Sequence, residues 1–393
     1  MEEYHYLLDL ALILFTTKLF GLISQKFKMP QVVGALLAGL ILGPAVLNIV
    51  QKSNFITTTS EIGVIILMFC AGLETDVKEL KKCGKASFVI ALLGVIVPLL
   101  GGFGVAYFFN QPGIIDSGAT CNVFLQNVFI GVILTATSVS ITVETLKELG
   151  RLKSESGNAI LGAAIIDDIL GIIALTVITS LADSSVNVWI VLLKILGFFA
   201  MVIVAGFAFY KLYVWWANRS KHLRHRHAII CFVFCLGMSY AAEALFGVAD
   251  ITGAFFAGLI ISLTQSSEYL AKKFDVLSYL LLSPIFFASI GLNVVLPSMS
   301  VQIIVFAVVI TIVAIITKII GCGLGAKICG YKNYQCKRIG IGMISRGEVA
   351  LIVANKGASM GLLGSVMLGP IVIMVIATTI TVSYTHLTLP TTE

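Results

Sequence analysis

The chain has 393 residues, 58% hydrophobic and 12% charged, with a mean hydropathy of +1.03 and a formal net charge of +6. A charged fraction about half the usual value excludes a soluble globular domain. The basic excess lies in short breaks between apolar runs, which excludes a nucleic-acid surface, and eight cysteines without a C-x-x-C pair exclude a zinc site or disulfide framework.

A helix needs roughly 20 mostly apolar residues to cross a bilayer. In chain order, runs at 5–27, 30–50, 56–77, 86–109, 120–146, 156–182, 187–217, 227–246, 248–265, 274–296, 299–326, 338–360 and 363–383 predict an all-α polytopic membrane protein of thirteen transmembrane helices. The first run follows Glu2 and Glu3 where a cleaved leader would have a basic start, so it reads as a retained span. Cys231 and Cys235, on one face of the eighth span, read as small apolar packing residues.

Alternate loops carry nearly all the loop lysines and arginines: Lys26 and Lys28, Lys78 to Lys85, Lys147 to Lys153, Lys211 to Arg226, Lys272 and Lys273, and Lys327 to Arg338. The opposite loops hold only Lys52 and Lys356, which places the amino terminus outside and the carboxyl terminus in the cytoplasm of a cell (inner) membrane. The cluster Arg219 to His227 reads as a basic loop beside anionic cytoplasmic lipid, with no nucleic acid or metal ligand involved.

Span two contains the pattern GAxxAGLI at Gly34 to Ile41, and span nine repeats it at Gly253 to Ile260. The same register aligns Gly72-Leu73, ending span three, with Gly291-Leu292, ending span ten. Spans two and nine are seven apart, an odd displacement, so the halves lie inverted: a first repeat at 1–182, a linker helix at 187–217 and a second repeat at 227–383. Inverted repeats with interrupted helices at the midplane are a common architecture of secondary transporters.

Asp167 and Asp168 fall in the middle of span six, where each charge costs roughly 2.5–3.5 kcal/mol on the lenient insertion scale. Two adjacent carboxylates out of water repel each other and are desolvated, which pushes at least one protonation equilibrium up toward physiological pH, so such a site can carry either protons or a cation. Neighbouring helical residues point about 100° apart, which lets one aspartate face a cation from another helix and the other a water-filled cavity, with Gly171 leaving space one turn on. Lys318 in span eleven and Arg346 and Glu348 in span twelve complete a set of two cations and three carboxylates. For Arg346 and Glu348, a buried salt-bridge network that only fixes helix packing is the competing reading. The polar, β-branched run from Thr135 to Thr142 predicts a broken helix in span five, with an ordinary helix whose hydroxyls bond its own backbone as the competing reading, and Ser345-Arg346-Gly347-Glu348 is its counterpart in span twelve.

With Thr135-Ala136-Thr137-Ser138, Asp167-Asp168, Lys318 and Ser345-Arg346-Gly347-Glu348 in place, the chain resembles the second branch of the monovalent cation/proton antiporters, to about residue 380. The resemblance implies a homodimer of thirteen-helix protomers, each with a dimerisation domain and a mobile core containing two crossed broken helices. It implies that Asp168 binds cation and proton in turn, that Asp167 pairs with Lys318, and that Arg346 and Glu348 support the crossing, with Thr135, Thr137 and Ser138 at its other half. The chain lacks the nucleotide-binding regulatory domain of the glutathione-gated potassium-efflux members, and has Asp167 where they have an uncharged residue. Sodium, with lithium second, is therefore the expected cation, and potassium exchange or a cation channel are the alternatives. No filter-like loop favours the channel. Neither an enzyme activity nor a cofactor is expected, and residues 384–393 read as an atypical tail outside the native structure. Tags at Ser184 and Ser298 should be reached only from outside and a tag at Ser220 only from the cytoplasm; outside labelling at Ser220 would overturn both the topology and the inversion.

Overall fold

The computed structural model describes residues 4–26, 31–51, 53–75, 77–111, 114–115, 118–182, 188–219, 224–292 and 300–388. Ser184, Ser220, Ser298 and residues 389–393 lie outside them. Among the described residues every regular element is helical, and nine stretches are long and apolar enough to cross a membrane. The remaining apolar runs form shorter helices.

The first three helices are α1 (His5–Lys26), α2 (Gln31–Leu42) and α3 (Asn54–Glu74). Helix α2 is shorter than the apolar run it occupies because Gly43-Pro44 follows it; the residue before a proline disfavours the helical region. The chain then folds back, and the amides of Leu47, Ile49 and Val50 satisfy the last carbonyls, Ile41 and Leu42. After α4 (Val77–Phe109), span five is divided into α5 (Val123–Thr135) and α6 (Val139–Glu148). Two long helices follow, α7 (Glu155–Ala182) and α8 (Val188–Arg219).

Helix α9 (Arg224–Tyr240) ends in a π-helical turn at Ala241–Leu245, and α10 (Asp250–Ser262) comes next. Span ten is α11 (Ser267–Leu277), a π-helical turn at Ser278–Leu282 and α12 (Ser283–Leu292). Pro284 has no N–H to give to the preceding turn, and the local loosening lets the Ser278 and Ser283 hydroxyls meet at 2.9 Å. The chain continues with α13 (Val301–Ile328), and span twelve is again two pieces, α14 (Asn333–Gly342) and α15 (Glu348–Ser359). The last helix, α16 (Ser365–Thr388), runs into the segment read as a tail.

The helices sort into two bundles. Helix α4 packs along α5, α7 and α13, and α13 along α14 and α16; elsewhere α3 packs along α10, α11 and α12, and α2 along α1 and α12. The repeated glycines sit at the tightest approaches of the second bundle. A Cβ added to Gly39 would lie 2.0 Å from the Ala288 carbonyl oxygen, and one on Gly291 2.4 Å from that of Leu36. Likewise, a Cβ on Gly72 would lie 2.2 Å from the Phe255 oxygen and one on Gly258 2.3 Å from that of Phe69. Only glycine lets backbones approach so closely. Gly258→Ala should therefore lower stability by about 1–3 kcal/mol, the usual cost of overpacking. A detergent-solubilised thermal unfolding curve checks this against Gly84→Ala, where the added methyl meets open space and should not destabilise.

Candidate functional site

The two divided spans meet. Helix α5 ends at Thr135, whose hydroxyl turns back to the Val132 carbonyl at 2.7 Å, and residues 136–138 are extended before α6 begins. Opposite them, residues 343–347 separate α14 from α15. The Ser138 amide donates to the Ser345 carbonyl at 2.9 Å, and the Ser345 hydroxyl returns a bond to the Ser138 carbonyl at 3.0 Å. The Thr142 hydroxyl donates to the Gly342 carbonyl at 2.9 Å and lies 2.7 Å from the Ser345 hydroxyl. A helix interrupted in an apolar interior leaves amides and carbonyls that water cannot reach, and here each break satisfies the other. Gly347 is required by this fit, since a Cβ there would lie 2.5 Å from the Ser138 hydroxyl.

Arg346 is fully buried at the crossing. Its Nη1 donates to the Ala136 carbonyl at 2.5 Å, and its own carbonyl accepts from the Thr379 hydroxyl of α16 at 2.8 Å. Among the described residues its Nε and Nη2 have no hydrogen-bond partner, nor does the buried Thr137 hydroxyl. Glu348 opens α15, and its side chain lies outside what the structure describes.

The ion pair lies between α7 and α13. Lys318 is 0% exposed and Asp167 2% exposed, and the ammonium donates to both carboxylate oxygens, at 2.9 and 3.1 Å. Asp167 is also close enough to act electrostatically on Arg346. Asp168 is partly exposed, and one turn on, a Cβ at Gly171 would meet no atom within 4 Å. The structure thus brings together Asp167 with Lys318, and Thr135, Thr137 and Ser138 with Arg346.

Sequence reasoning missed the wall behind the ion pair. Gly94 of α4 faces it, and a Cβ there would lie 2.6 Å from the Cys322 sulfur, 3.5 Å from Lys318 Nζ and 3.9 Å from Asp167 Oδ1. Nothing distinguishes Gly94 from the other glycines of its span until α4 is seen against α13. Asp167→Asn should destabilise the protein by about 3–5 kcal/mol because it leaves a buried ammonium without its counter-charge. Adding Lys318→Gln should restore much of the loss, and a thermal-unfolding double-mutant cycle without that recovery would contradict the pairing.

The sodium/hydrogen exchanger transmembrane family matches residues 11–390. The Na(+)/H(+)-K(+) antiporter GerN of Bacillus cereus is 41% identical over 382 residues, covering 96% of this chain and 94% of the relative. The Na(+)/H(+) antiporter of Enterococcus hirae is 37% identical over 381 residues, covering 94% of each. Among solved structures, the sodium proton antiporter MjNhaP1 of Methanocaldococcus jannaschii shares the fold, with a TM-score of 0.68 at 20% identity over 98% of this chain and 96% of its own. With its multiple membrane-crossing helices, the chain belongs to the sodium/hydrogen exchanger family of the cation/proton antiporter superfamily.

Proposed function

We propose that the protein exchanges sodium for protons by alternating access, with cation and proton competing for Asp168. One observation carries this reading: of two adjacent aspartates, Asp167 is held by both oxygens on Lys318, while Asp168 is partly exposed and has open space at Gly171 beside it. A monovalent cation or a proton at Asp168 meets the same single negative charge, so binding one excludes the other, and the opposite fluxes are coupled. Arg346, at the crossing, supplies fixed positive charge close to the carbonyl ends of α5 and α14, where helix dipoles are negative.

The mutual glycine contacts support two inverted repeats, 1–182 and 227–383, around the 187–217 linker. Gly39 meets the α12 backbone beside Gly291, and Gly258 meets the α3 backbone beside Gly72, so each repeat offers the other the same pair of contacts. The bundle of α4–α7 and α13–α16 is the moving core in this reading, the other bundle is its frame in a homodimer, and the termini lie outside and in the cytoplasm. Potassium is the second reading for the cation, favoured by the name of the Bacillus cereus relative, an antiporter of both sodium and potassium.

In proteoliposomes, dissipation of an imposed proton gradient should follow addition of sodium, with lithium and potassium compared in parallel. Asp168→Asn should abolish it while leaving the protein folded, because the amide keeps the volume but loses both the charge and the proton. Wild-type exchange in that variant would refute Asp168 as the shared ligand, and cation conductance without proton movement would refute antiport.

A further inference from the structure

Helix α6 is fixed at both ends. Two residues before Glu144, Thr142 joins it to the crossing, and its last turn reaches the other bundle. There Lys147 pairs with Glu74 of α3 at 3.3 Å and with Asp275 of α11, and Glu148 accepts a 2.7 Å bond from the Gln31 amide that opens α2. Between α6 and the facing helices α1, α2 and α12 lies a cavity of about 290 Å³. Leu14, Val32, Leu280, Pro284 and Phe287 form its apolar walls. Its polar side is made by Lys18, Glu144, Glu148 and Tyr279.

The charged groups of this cavity are unequally partnered. Lys18 bonds the Tyr279 hydroxyl, lies 4.5 Å from that ring's centre and acts electrostatically on Glu148. Glu148 is already bonded to the α2 terminus, and Lys147 is occupied by Glu74 and Asp275. Glu144 lines the cavity; among the described residues it accepts no hydrogen bond and has no cation in contact, Lys147 acting on it only through space, as do the acidic Glu148, Asp275 and Glu74. When ionised, Glu144 offers a cation in the cavity a carboxylate with no contact of its own. A bare metal ion needs about six oxygen ligands, which these largely apolar walls do not provide. An ammonium on an apolar body fits all the features, with Glu144 for the charge, two aromatic rings within the lining, and a volume near the lower end of small-molecule sites, about 300 Å³.

We propose that this cavity binds amphiphilic organic ammonium ions, with the charged head on Glu144 and the apolar body against Pro284 and Phe287, and that occupancy clamps α6 to α1 and α12 and so slows exchange. The slowing rests on the antiport reading; the binding does not. Benzyltrimethylammonium is a suitable probe, because it carries no exchangeable proton and cannot itself collapse a proton gradient. With the full chain in detergent at alkaline pH, it should raise the unfolding temperature saturably, and titration calorimetry should give one site.

Glu144→Gln should weaken binding about tenfold, as expected for loss of a partly desolvated charge contact, without changing the unfolding temperature of the unliganded protein. Lys18→Gln should tighten binding, because it removes a like charge. The uncharged isostere neopentylbenzene should not reproduce the effect. Binding unaffected by Glu144→Gln, weakened by Lys18→Gln as an anion site would be, or matched by the neutral isostere, overturns the site. In proteoliposomes the probe should slow wild-type exchange without being relieved by excess sodium. Binding with undiminished exchange overturns the clamp alone, and Glu144-dependent binding to a protein that exchanges nothing overturns the antiport reading and leaves the site standing.

Discussion

Lys318 and Asp167 meet in the interior with both side chains out of reach of solvent, and the desolvation of those two charges sets the terms for what surrounds them. Removing each ion from water costs several kcal/mol even after relaxation, and their attraction repays this only in good geometry with the remaining bonding positions filled. The two-oxygen contact supplies that geometry, and it fixes α7 against α13 at one depth. Helix α4 must then pass close behind both, which it does with Gly94 against Cys322, so a position that is unremarkable on its own helix is constrained by a pair on two others. The adjacent Asp168 inherits its position from this arrangement, since its backbone is fixed by the neighbour, and it is partly exposed where Asp167 is not.

The crossing solves a different problem with the same economy. Both interrupted helices expose backbone groups, and a regular helix would have hidden them, so the interruption persists only because the two strands of backbone exchange bonds through Ser138, Thr142 and Ser345. Arg346 adds a charged contact to these, reaching from one break to the carbonyl of Ala136 in the other. Ion pair and crossing are coupled electrostatically through Asp167 and Arg346, which places the charge chemistry and the backbone irregularity in one unit.

Much of this was legible in the chain. Apolar run length gave the membrane helices, and the hydroxyl-rich run at Thr135 to Thr142 located its break because those side chains compete for backbone bonds. Lys318 and Asp167 could be shortlisted because charge in an apolar span is costly, although their pairing came from the family resemblance. What stayed hidden was relational. That Gly94 is a wall, that Thr379 holds the Arg346 carbonyl, and that Lys147 and Glu148 tie α6 to the opposite bundle depend on which helices become neighbours, and no local pattern records it. The shortened α2 and the π-helical turn before Pro284 were visible as prolines but not as geometry, because a proline in an apolar run signals disruption without saying whether the helix stops or loosens.

The separation of the ion pair along the chain bears on how the protein is made. Asp167 and Lys318 are 151 residues apart, so at ordinary elongation rates of about 5–20 residues per second α7 waits roughly 8–30 s for its partner to be synthesised. During that interval two aspartates must be kept from lipid with no lysine available, either by taking up protons or by staying at a hydrated boundary of the insertion machinery. Helix α13 faces no such delay, because its lysine enters a membrane where the acid is already present. Biogenesis of this fold is therefore asymmetric, with the acidic helix the vulnerable one, and a pause in translation between them would prolong its exposure to quality-control proteases.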